Sequence, residues 1–319
     1  MMNSVIRLEP LYKKRVWGGR KLKTLFNRQL PNDVDLIGES WDIVDREEAQ
    51  SLVIDGEMEG KSLNELWTNH KESVFGTNLP QTDRFPLLMK VLDTREKLSL
   101  QVHPPENIAS ELGGEPKTEM WYIAEADPGA EIYCGLSEGS NPDKFTESVN
   151  LGQTHSLLHK IKVSKGDFIF IPSGRLHAIG SGIVIFEIQQ NSDTTYRVHD
   201  WGRFGLDGDP RELHINEALR SIDFKDIEPS KGSREDNFLV RCPHFEVEQL
   251  DLSSLERINA SIDQNFAIVS VIEGSVSCGN YDFKSGDFFI VPAHMKEEPL
   301  QLVSQNTSKI LRTTIPKKN

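Results

Sequence analysis

The sequence predicts a mainly β chain folded as two tandem β-barrels with a few short helices. Three observations carry that expectation. Short alternating or apolar runs recur along the chain, each bounded by Gly, Pro, Asn or Asp, as in strands joined by tight turns. Helical periodicity is sparse and does not alternate with the strands, which argues against a doubly wound parallel sheet. Ser164-Lys165-Gly166-Asp167-Phe168-Ile169-Phe170-Ile171-Pro172 is echoed by Lys284-Ser285-Gly286-Asp287-Phe288-Phe289-Ile290-Val291-Pro292, with the same Gly-to-Pro spacing. Each copy reads as a Gly-Asp turn, a buried strand and a terminating proline, and two copies of one β-unit suggest two barrels.

The N-terminus, Met1 to Pro10, lacks the basic-then-apolar pattern of a secretion signal. Lys61 to Phe75 places Leu63, Leu66 and Trp67 at helical spacing, with Ser62 as its cap and Glu65 three residues on. Leu98 to Val102 and Met120 to Ala124 read as strands. Asn141-Pro142-Asp143 opens a helix through Val149, since proline is tolerated in a first turn. Phe168 to Ile171 and Ile183 to Ile188 are strands. Arg211 to Ile222 reads as a helix with Leu213, Ile215, Ala218 and Leu219 mostly along one side. Phe266 to Ile272 and Phe288 to Val291 complete the set. The polar stretch from Glu228 to Asn237 interrupts the pattern. The expected division is a first domain over 1–235, with N-terminal strands and the short helices, and a second barrel over 236–319.

Hydrophobic residues make up 37% of the 319 and charged residues 27%, enough for a packed core. No apolar run approaches the ~20 residues of a membrane span. Cys134, Cys242 and Cys278 lie far apart with no Cys-x-x-Cys spacing, which fits a reduced, cytoplasmic setting. The formal net charge of −13 argues against nucleic acid as a partner. An anionic ligand would need local positive groups or a metal.

The most informative segment is Lys97-Leu98-Ser99-Leu100-Gln101-Val102-His103-Pro104-Pro105. Side chains alternate in a strand, so Leu98, Leu100 and Val102 face one core while Ser99, Gln101 and His103 share the other side. Glu119 opens a neighbouring strand, and His177 follows just beyond the first repeat's Pro172. A Gln, two His and a Glu converging on one cavity would suit a divalent metal with nitrogen and oxygen ligands. The same residues would also serve as hydrogen-bonded strand residues, and spacing alone does not bring four of them together. Gly135-Leu136-Ser137-Glu138-Gly139 fits a hydrolase nucleophile pattern, but that motif needs a strand-to-helix turn in a parallel sheet, so a plain loop is expected here.

These segments resemble the class I mannose-6-phosphate isomerases of the cupin superfamily. Leu98-Ser99-Leu100-Gln101-Val102-His103-Pro104 is similar to the family's Leu-Ser-Ile-Gln-Ala-His-Pro, whose Gln and His bind metal. Lys117-Thr118-Glu119-Met120 resembles Lys-Pro-Glu-Met, where the Glu is the third ligand. His177, followed by Ala178, matches the fourth. Asn191-Ser192-Asp193-Thr194-Thr195-Tyr196-Arg197 resembles Ser-Asp-Asn-Val-Val-Arg, and Val16-Trp17-Gly18-Gly19 resembles the N-terminal signature. The resemblance implies jelly-roll (cupin) barrels. It implies one zinc, or another divalent metal, on Gln101, His103, Glu119 and His177. It also implies interconversion of mannose 6-phosphate and fructose 6-phosphate through a cis-enediolate.

In that reading Arg197 stabilises anionic charge, Lys117 and Asp193 handle protons, and Ser99, Lys90 and Arg203 hold the phosphate. A metal nearby is expected to lower the Lys117 pKa. The chain departs from the family's commonest form at Pro116, where a His usually stands, so no step can rely on that His. The second barrel keeps Gly286 and Pro292 but has Glu297 at the place matching His177, with His294 out of register, so no metal is expected there. The alternative is a non-catalytic metal-containing cupin that binds sugars or regulates. A cupin oxygenase is disfavoured because Gln101 would be an odd ligand for oxygen chemistry.

Overall fold

The computed structural model describes residues 4–32, 34–261, 265–293 and 299–317. The chain begins with β1 (Leu11–Gly19), α1 (Lys21–Phe26), β2 (Ile37–Ile43), the hairpin β3 (Asp45–Arg46) and β4 (Ala49–Gln50), α2 (Leu63–Asn69) and α3 (Lys71–Phe75). It continues through β5 (Leu87–Thr94), β6 (Leu100–Val102), β7 (Glu119–Ala126), β8 (Glu131–Leu136), α4 (Pro142–Asn150) and β9 (Leu158–Lys162). Then come β10 (Phe168–Ile171), β11 (His177–Ile179), β12 (Ile183–Gln190), β13 (Tyr196–His199) and α5 (Ile215–Ser221). The second run, among the described residues, has strands as its only regular elements: β14 (Phe238–Arg241), β15 (Glu246–Leu252), β16 (Arg257–Asn259), β17 (Ala267–Glu273), β18 (Ser275–Cys278), β19 (Tyr281–Lys284), β20 (Phe288–Val291), β21 (Gln301–Ser304) and β22 (Ser308–Thr314).

Two pairs of antiparallel sheets result, in a mainly β, cupin-like arrangement. The first pair has the strand orders β1-β2-β5-β12-β7-β10 and β13-β6-β11-β8-β9, the second β14-β15-β22-β17-β20 and β16-β21-β18-β19. From β5 to β12 and from β15 to β22 the two orders are the same, strand for strand. The echoed turns make the same bonds: Ser164 N–H donates to Asp167 and Lys284 N–H to Asp287, both at 2.8 Å, with Gly166 and Gly286 at φ of 90° and 94°. Only glycine takes such a φ cheaply, hence its recurrence. Even a β-bulge repeats, with Ile123 and Glu125 facing Ile185 and Val184 in one unit, and Val271 and Glu273 facing Ile310 and Lys309 in the other.

Each sheet pair encloses an apolar core. Ile123, Ile169, Ile171 and Ile185 meet Ile132, Ile161 and Ile179 in the first, while Val269, Val271, Phe289 and Ile310 meet Val276, Phe283 and Leu302 in the second. A third and larger core lies between the units. There Met89, Met120 and Phe186 pack with Phe266, Ile268 and Leu311, and α2 and α3 insert Leu66, Trp67 and Phe75. Phe75 meets Phe266 edge-on at 5.1 Å. Strand β5 is therefore buried on both faces over its whole length, which is why it shows no alternation. At the N-terminus, Ile6 pairs with Ile290 and Val5 joins the second core, so these residues sit on the unit expected to begin at 236.

Local readings fare unevenly. The Ser62–Glu65 capping box forms, and Asn141 caps α4 through the Lys144 N–H. The helix expected over Lys61 to Phe75 breaks at His70 (φ −128°) into α2 and α3. The helix expected from Arg211 starts only at Ile215, and Leu213 is exposed. The cause is competition: the His214 N–H donates to the Arg197 carbonyl at 2.8 Å, so this backbone adds to the edge of β13 instead of coiling. The strand expected over Leu98 to Val102 is laddered only from Leu100, and Leu98 joins the inner core rather than that of Leu100 and Val102. Gly135 to Gly139 runs from the end of β8 into a turn, without a strand-to-helix elbow. No helix among the described residues is long and apolar enough to cross a membrane.

Candidate active site and metal centre

The inner face of the first unit turns polar where β6, β7 and β11 meet. Gln101 lies opposite His177 across the β6–β11 pairing, and Glu119 opens β7 opposite Ile171. The donor atoms of His103, Glu119 and His177 lie within 4.8 Å of one another, and all three residues are buried. Each imidazole is fixed from behind. His103 Nδ1 lies 2.8 Å from the Thr194 carbonyl, and His177 Nδ1 lies 2.8 Å from the Arg175 carbonyl. A carbonyl can only accept, so Nδ1 carries the proton and Nε2 offers its lone pair inward, the tautomer a metal-bound histidine needs.

The Nε2 atoms stand 3.5 and 3.6 Å from the two Glu119 oxygens. Neither oxygen has a hydrogen-bond partner, although Lys117 Nζ sits 2.6 Å from one of them. Two inward lone pairs beside an unsatisfied buried carboxylate fit a divalent cation. Gln101 stands at the edge of this group, its Nε2 3.3 Å from His177 Nε2 and its Oε1 accepting from Ser99 at 3.2 Å. Turning the amide over would present the oxygen to the centre.

The electrostatics follow from burial. Burial lowers the His103 pKa, with Lys117 adding to it, and brings that of His177 to about 3, so both rings are neutral. Burial alone would raise the Glu119 carboxyl, but Lys117 and His103 hold it well below the usual carboxylate range. Lys117 goes the other way from expectation. Burial pulls it down, yet Glu119 and Glu187 outweigh that and raise its pKa, so without a metal it is a firmly charged ammonium. The expected lowering presupposes a cation competing for Glu119.

Above this group opens a cavity of about 540 Å³, with Gln101, Lys117, Ser99, Lys90, Asp193, Thr195 and Arg197 in its wall. Thus Ser99, Lys90, Lys117, Asp193 and Arg197 come together as the sequence indicated. Arg203 does not: its guanidinium binds Asp200 at 2.7 Å and the Lys97 carbonyl, outside the lining. His199, two residues after Arg197, does not join the wall, because a bulge after Arg197 breaks the alternation and its ring packs on Trp201. Lys90 is buried between Asp193 at 3.5 Å and Glu187 at 3.8 Å.

Sequence reasoning missed Arg15, Glu39, Glu187 and Arg211, all in the cavity wall. Burial pushes the Glu187 carboxyl up to about 7. Glu39 is held at about 2, burial being outweighed by Lys90 and Arg15. Glu187 sits inside an otherwise apolar strand, Ile-Val-Ile-Phe-Glu-Ile, and a charge in such a run was the available signal. Glu297 and His294, considered for the second unit, lie outside the described residues.

Residues 5–127 match the family model described as phosphomannose isomerase type I, catalytic domain. The mannose-6-phosphate isomerase ManA of Bacillus subtilis is 36% identical over 316 residues, covering 94% of this chain and 97% of its own length. The mannose-6-phosphate isomerase of Streptococcus mutans is 37% identical over 307 residues, covering 90% and 94%. The crystal structure of a Bacillus subtilis mannose 6-phosphate isomerase superposes with a TM-score of 0.86 at 35% identity, covering 98% of this chain and all of that one.

Proposed function

The chain belongs to the type I phosphomannose isomerase family, and from that premise we propose that it interconverts mannose 6-phosphate and fructose 6-phosphate in the cytoplasm. The observation that carries this reading is the buried His103, Glu119 and His177 group, with Gln101 at its edge, opening directly into a cavity walled by Lys117, Asp193 and Arg197. A sugar-binding or regulatory cupin has no use for that charged set, so the enzyme reading is preferred. In this proposal Gln101, His103, Glu119 and His177 hold one zinc, and residues 1–235 form the catalytic domain. Residues 236–319 form a second barrel without a metal site. A divalent cation held by Gln101, His103, Glu119 and His177 would act as a Lewis acid toward the sugar oxygens at C1 and C2.

The protein's own residues do the rest. Isomerisation takes a proton from C2, moves that electron pair into a C1–C2 double bond and protonates the C1 oxygen. The same steps then run with C1 and C2 exchanged: the C2 hydroxyl gives up its proton, its electron pair forms the C2 carbonyl, and the C1–C2 pair takes a proton at C1. Asp193, whose side chain is 44% exposed at the cavity wall, is placed to carry the proton, and Glu187 at about 7 is tuned for the same task. Lys117 supplies a fixed positive charge and an N–H donor beside the reacting oxygens. Arg197 faces the cavity one strand away from Gln101, where it meets negative charge on the substrate. Ser99 and Lys90 line the floor as polar contacts.

Purified protein, with and without added zinc, should form fructose 6-phosphate from mannose 6-phosphate only when metal is present. Arg197→Ala should lower turnover by about 10²–10³ while leaving metal content intact, and Arg197→Lys should recover part of it. Metal-loaded wild type with no turnover would leave the sugar-binding alternative standing.

A further inference from the structure

The cations of the cavity are not equally matched. Arg15 is paired with Glu39 at 2.9 Å, Lys14 with Asp35, Lys117 with Glu119, and Lys90 with two carboxylates. The wall formed by β13 and the segment after it is different. Asp200, 6% exposed, holds both Arg203 and Arg211, the latter from Nε at 2.7 Å and again from Nη2. Arg203 spends its other donors on backbone carbonyls, whereas Arg211 reaches the cavity lining. Arg197 lines the same wall. Its Nη1 donates to the Glu212 carbonyl at 2.7 Å and its Nε is buried without a hydrogen-bond partner. Among the described residues no carboxylate lies within ion-pair distance of it.

Two further carboxylates need placing. Asp207 lines this wall but accepts the Asp209 N–H at 3.1 Å, and the Glu212 carboxylate stands 82% exposed beside His214. Three guanidiniums thus face the buried Asp200 and the wall-lining Asp207, which leaves this wall net positive in a protein of net charge −13. A phosphate monoester is an anion that such a wall would attract. Arg197 is also the cross-strand neighbour of Gln101, so this wall adjoins the candidate metal ligands.

We propose that Arg211, oriented by Asp200, joins Arg197 as the grip for the dianionic phosphate of the substrate. The proposal rests on the isomerase reading for the identity of that substrate. Arg211 is the binding group, and a guanidinium offers a phosphate two parallel N–H bonds. Asp200 is a positioning residue, since Arg203 and Arg211 share its two oxygens. Burial and the nearby Arg211 lower the Arg197 pKa, the mark of like charges held together that an anion would relieve.

Titration calorimetry with inorganic phosphate, on metal-free and metal-loaded protein, tests the grip without turnover. Phosphate should bind wild type in both states, and Arg211→Ala should weaken it at least tenfold. Arg211→Lys should fall between the two, and Asp200→Asn should follow Arg211→Ala. Arg220→Ala, at an exposed pair with Glu111, is the remote control. With mannose 6-phosphate, Arg211→Ala should raise KM by about 10- to 100-fold, with a smaller fall in kcat. Wild-type phosphate affinity and KM in Arg211→Ala would overturn the proposal. If that variant does not fold, Arg211→Lys decides, because wild-type values there would exclude a two-pronged contact. Wild type that binds phosphate but does not isomerise would instead defeat the isomerase reading and leave the grip standing.

Discussion

The two β-units share one ladder pattern and differ in what their interiors hold. Counting outward from the matched Gly-Asp turns, Ala267 faces Val291 where Glu119 faces Ile171. Ile258 and Leu302 pair where Gln101 and His177 pair, so the ladder register gives the His177 place to Leu302 and not to Glu297 as the sequence repeat suggested. At these positions the second interior carries apolar side chains where the first presents candidate metal donors. A cross-strand ion pair survives in both but with opposite polarity, Lys90–Glu187 in one and Glu248–Arg312 in the other. In the first it adjoins Asp193 and a cavity, while in the second Arg312 spends Nη1 on the Asn259 carbonyl. The scaffold therefore does not dictate the chemistry. Among the described residues, these three apolar-to-polar exchanges at fixed register distinguish the packed core from the candidate metal site, at the cost of burying charge that only a ligand or partner can satisfy.

The largest effect should come from removing that polarity. His103→Ala, Glu119→Ala and His177→Ala should each drop metal content from about one equivalent per chain to near zero by mass spectrometry. Turnover should fall by roughly 10³-fold or more, since the charge-stabilising group is lost with the ligand. Full metal content in His103→Ala and His177→Ala would end the assignment.

The reverse exchange should fail. Ala267→Glu puts a carboxylate at the place of Glu119, but with Ile258 and Leu302 in place of Gln101 and His177. An unpaired buried charge of this kind should cost about 3–5 kcal/mol in chemical denaturation, with no second equivalent of zinc bound. A variant as stable as wild type, or one that takes up a second zinc, would show that the second interior is more open than its packing implies.

How much of this was legible from sequence depends on how local the signal was. The Gly-Asp-turn repeat, the Ser62 cap and the Gln101–His103 face are written in adjacent residues, and each appears in the fold. The cavity wall is not, because Arg15 on β1, Glu187 on β12 and Arg211 in the segment between β13 and α5 are distant in sequence and meet only in the fold. Arg203 misled because its spacing from Arg197 says nothing of Asp200, which takes its guanidinium. The contact between the units was invisible for a related reason: strands buried on both faces lose the alternation that tells inside from outside.

The smallest expected effect concerns two aspartates at one register. Asp93 and Asp251 occupy matching places on β5 and β15, opposite Val184 and Lys309. Asp93 is 1% exposed, accepts the Lys21 N–H at 2.5 Å and lies against Gly19, where a Cβ would come within 2.6 Å of both its oxygens. Burial raises its pKa from 3.8 to about 6, despite that bond. Asp251 receives Arg234 at 2.8 Å and Gln249 at 3.0 Å, and these outweigh its burial to hold it below 3.8. The signs are therefore opposite. Between pH 4 and 6 native Asp93 binds more protons than the unfolded chain, so its contribution to stability falls as pH rises and the cost is complete above pH 6. Asp251 instead contributes above pH 4 and loses that contribution in acid. Asp93→Asn keeps an acceptor for Lys21 but cannot ionise, so it should stabilise the protein by about 1–3 kcal/mol at pH 8 and by little at pH 4. Asp251→Asn should cost only a few tenths of a kcal/mol at pH 8, because that ion pair is half exposed and screened. Urea titrations of the three proteins at pH 4, 6 and 8 give the answer. If Asp93→Asn is destabilised equally at every pH, its charge is serving the first turn of α1, and the duplicated position carries the same sign in both units.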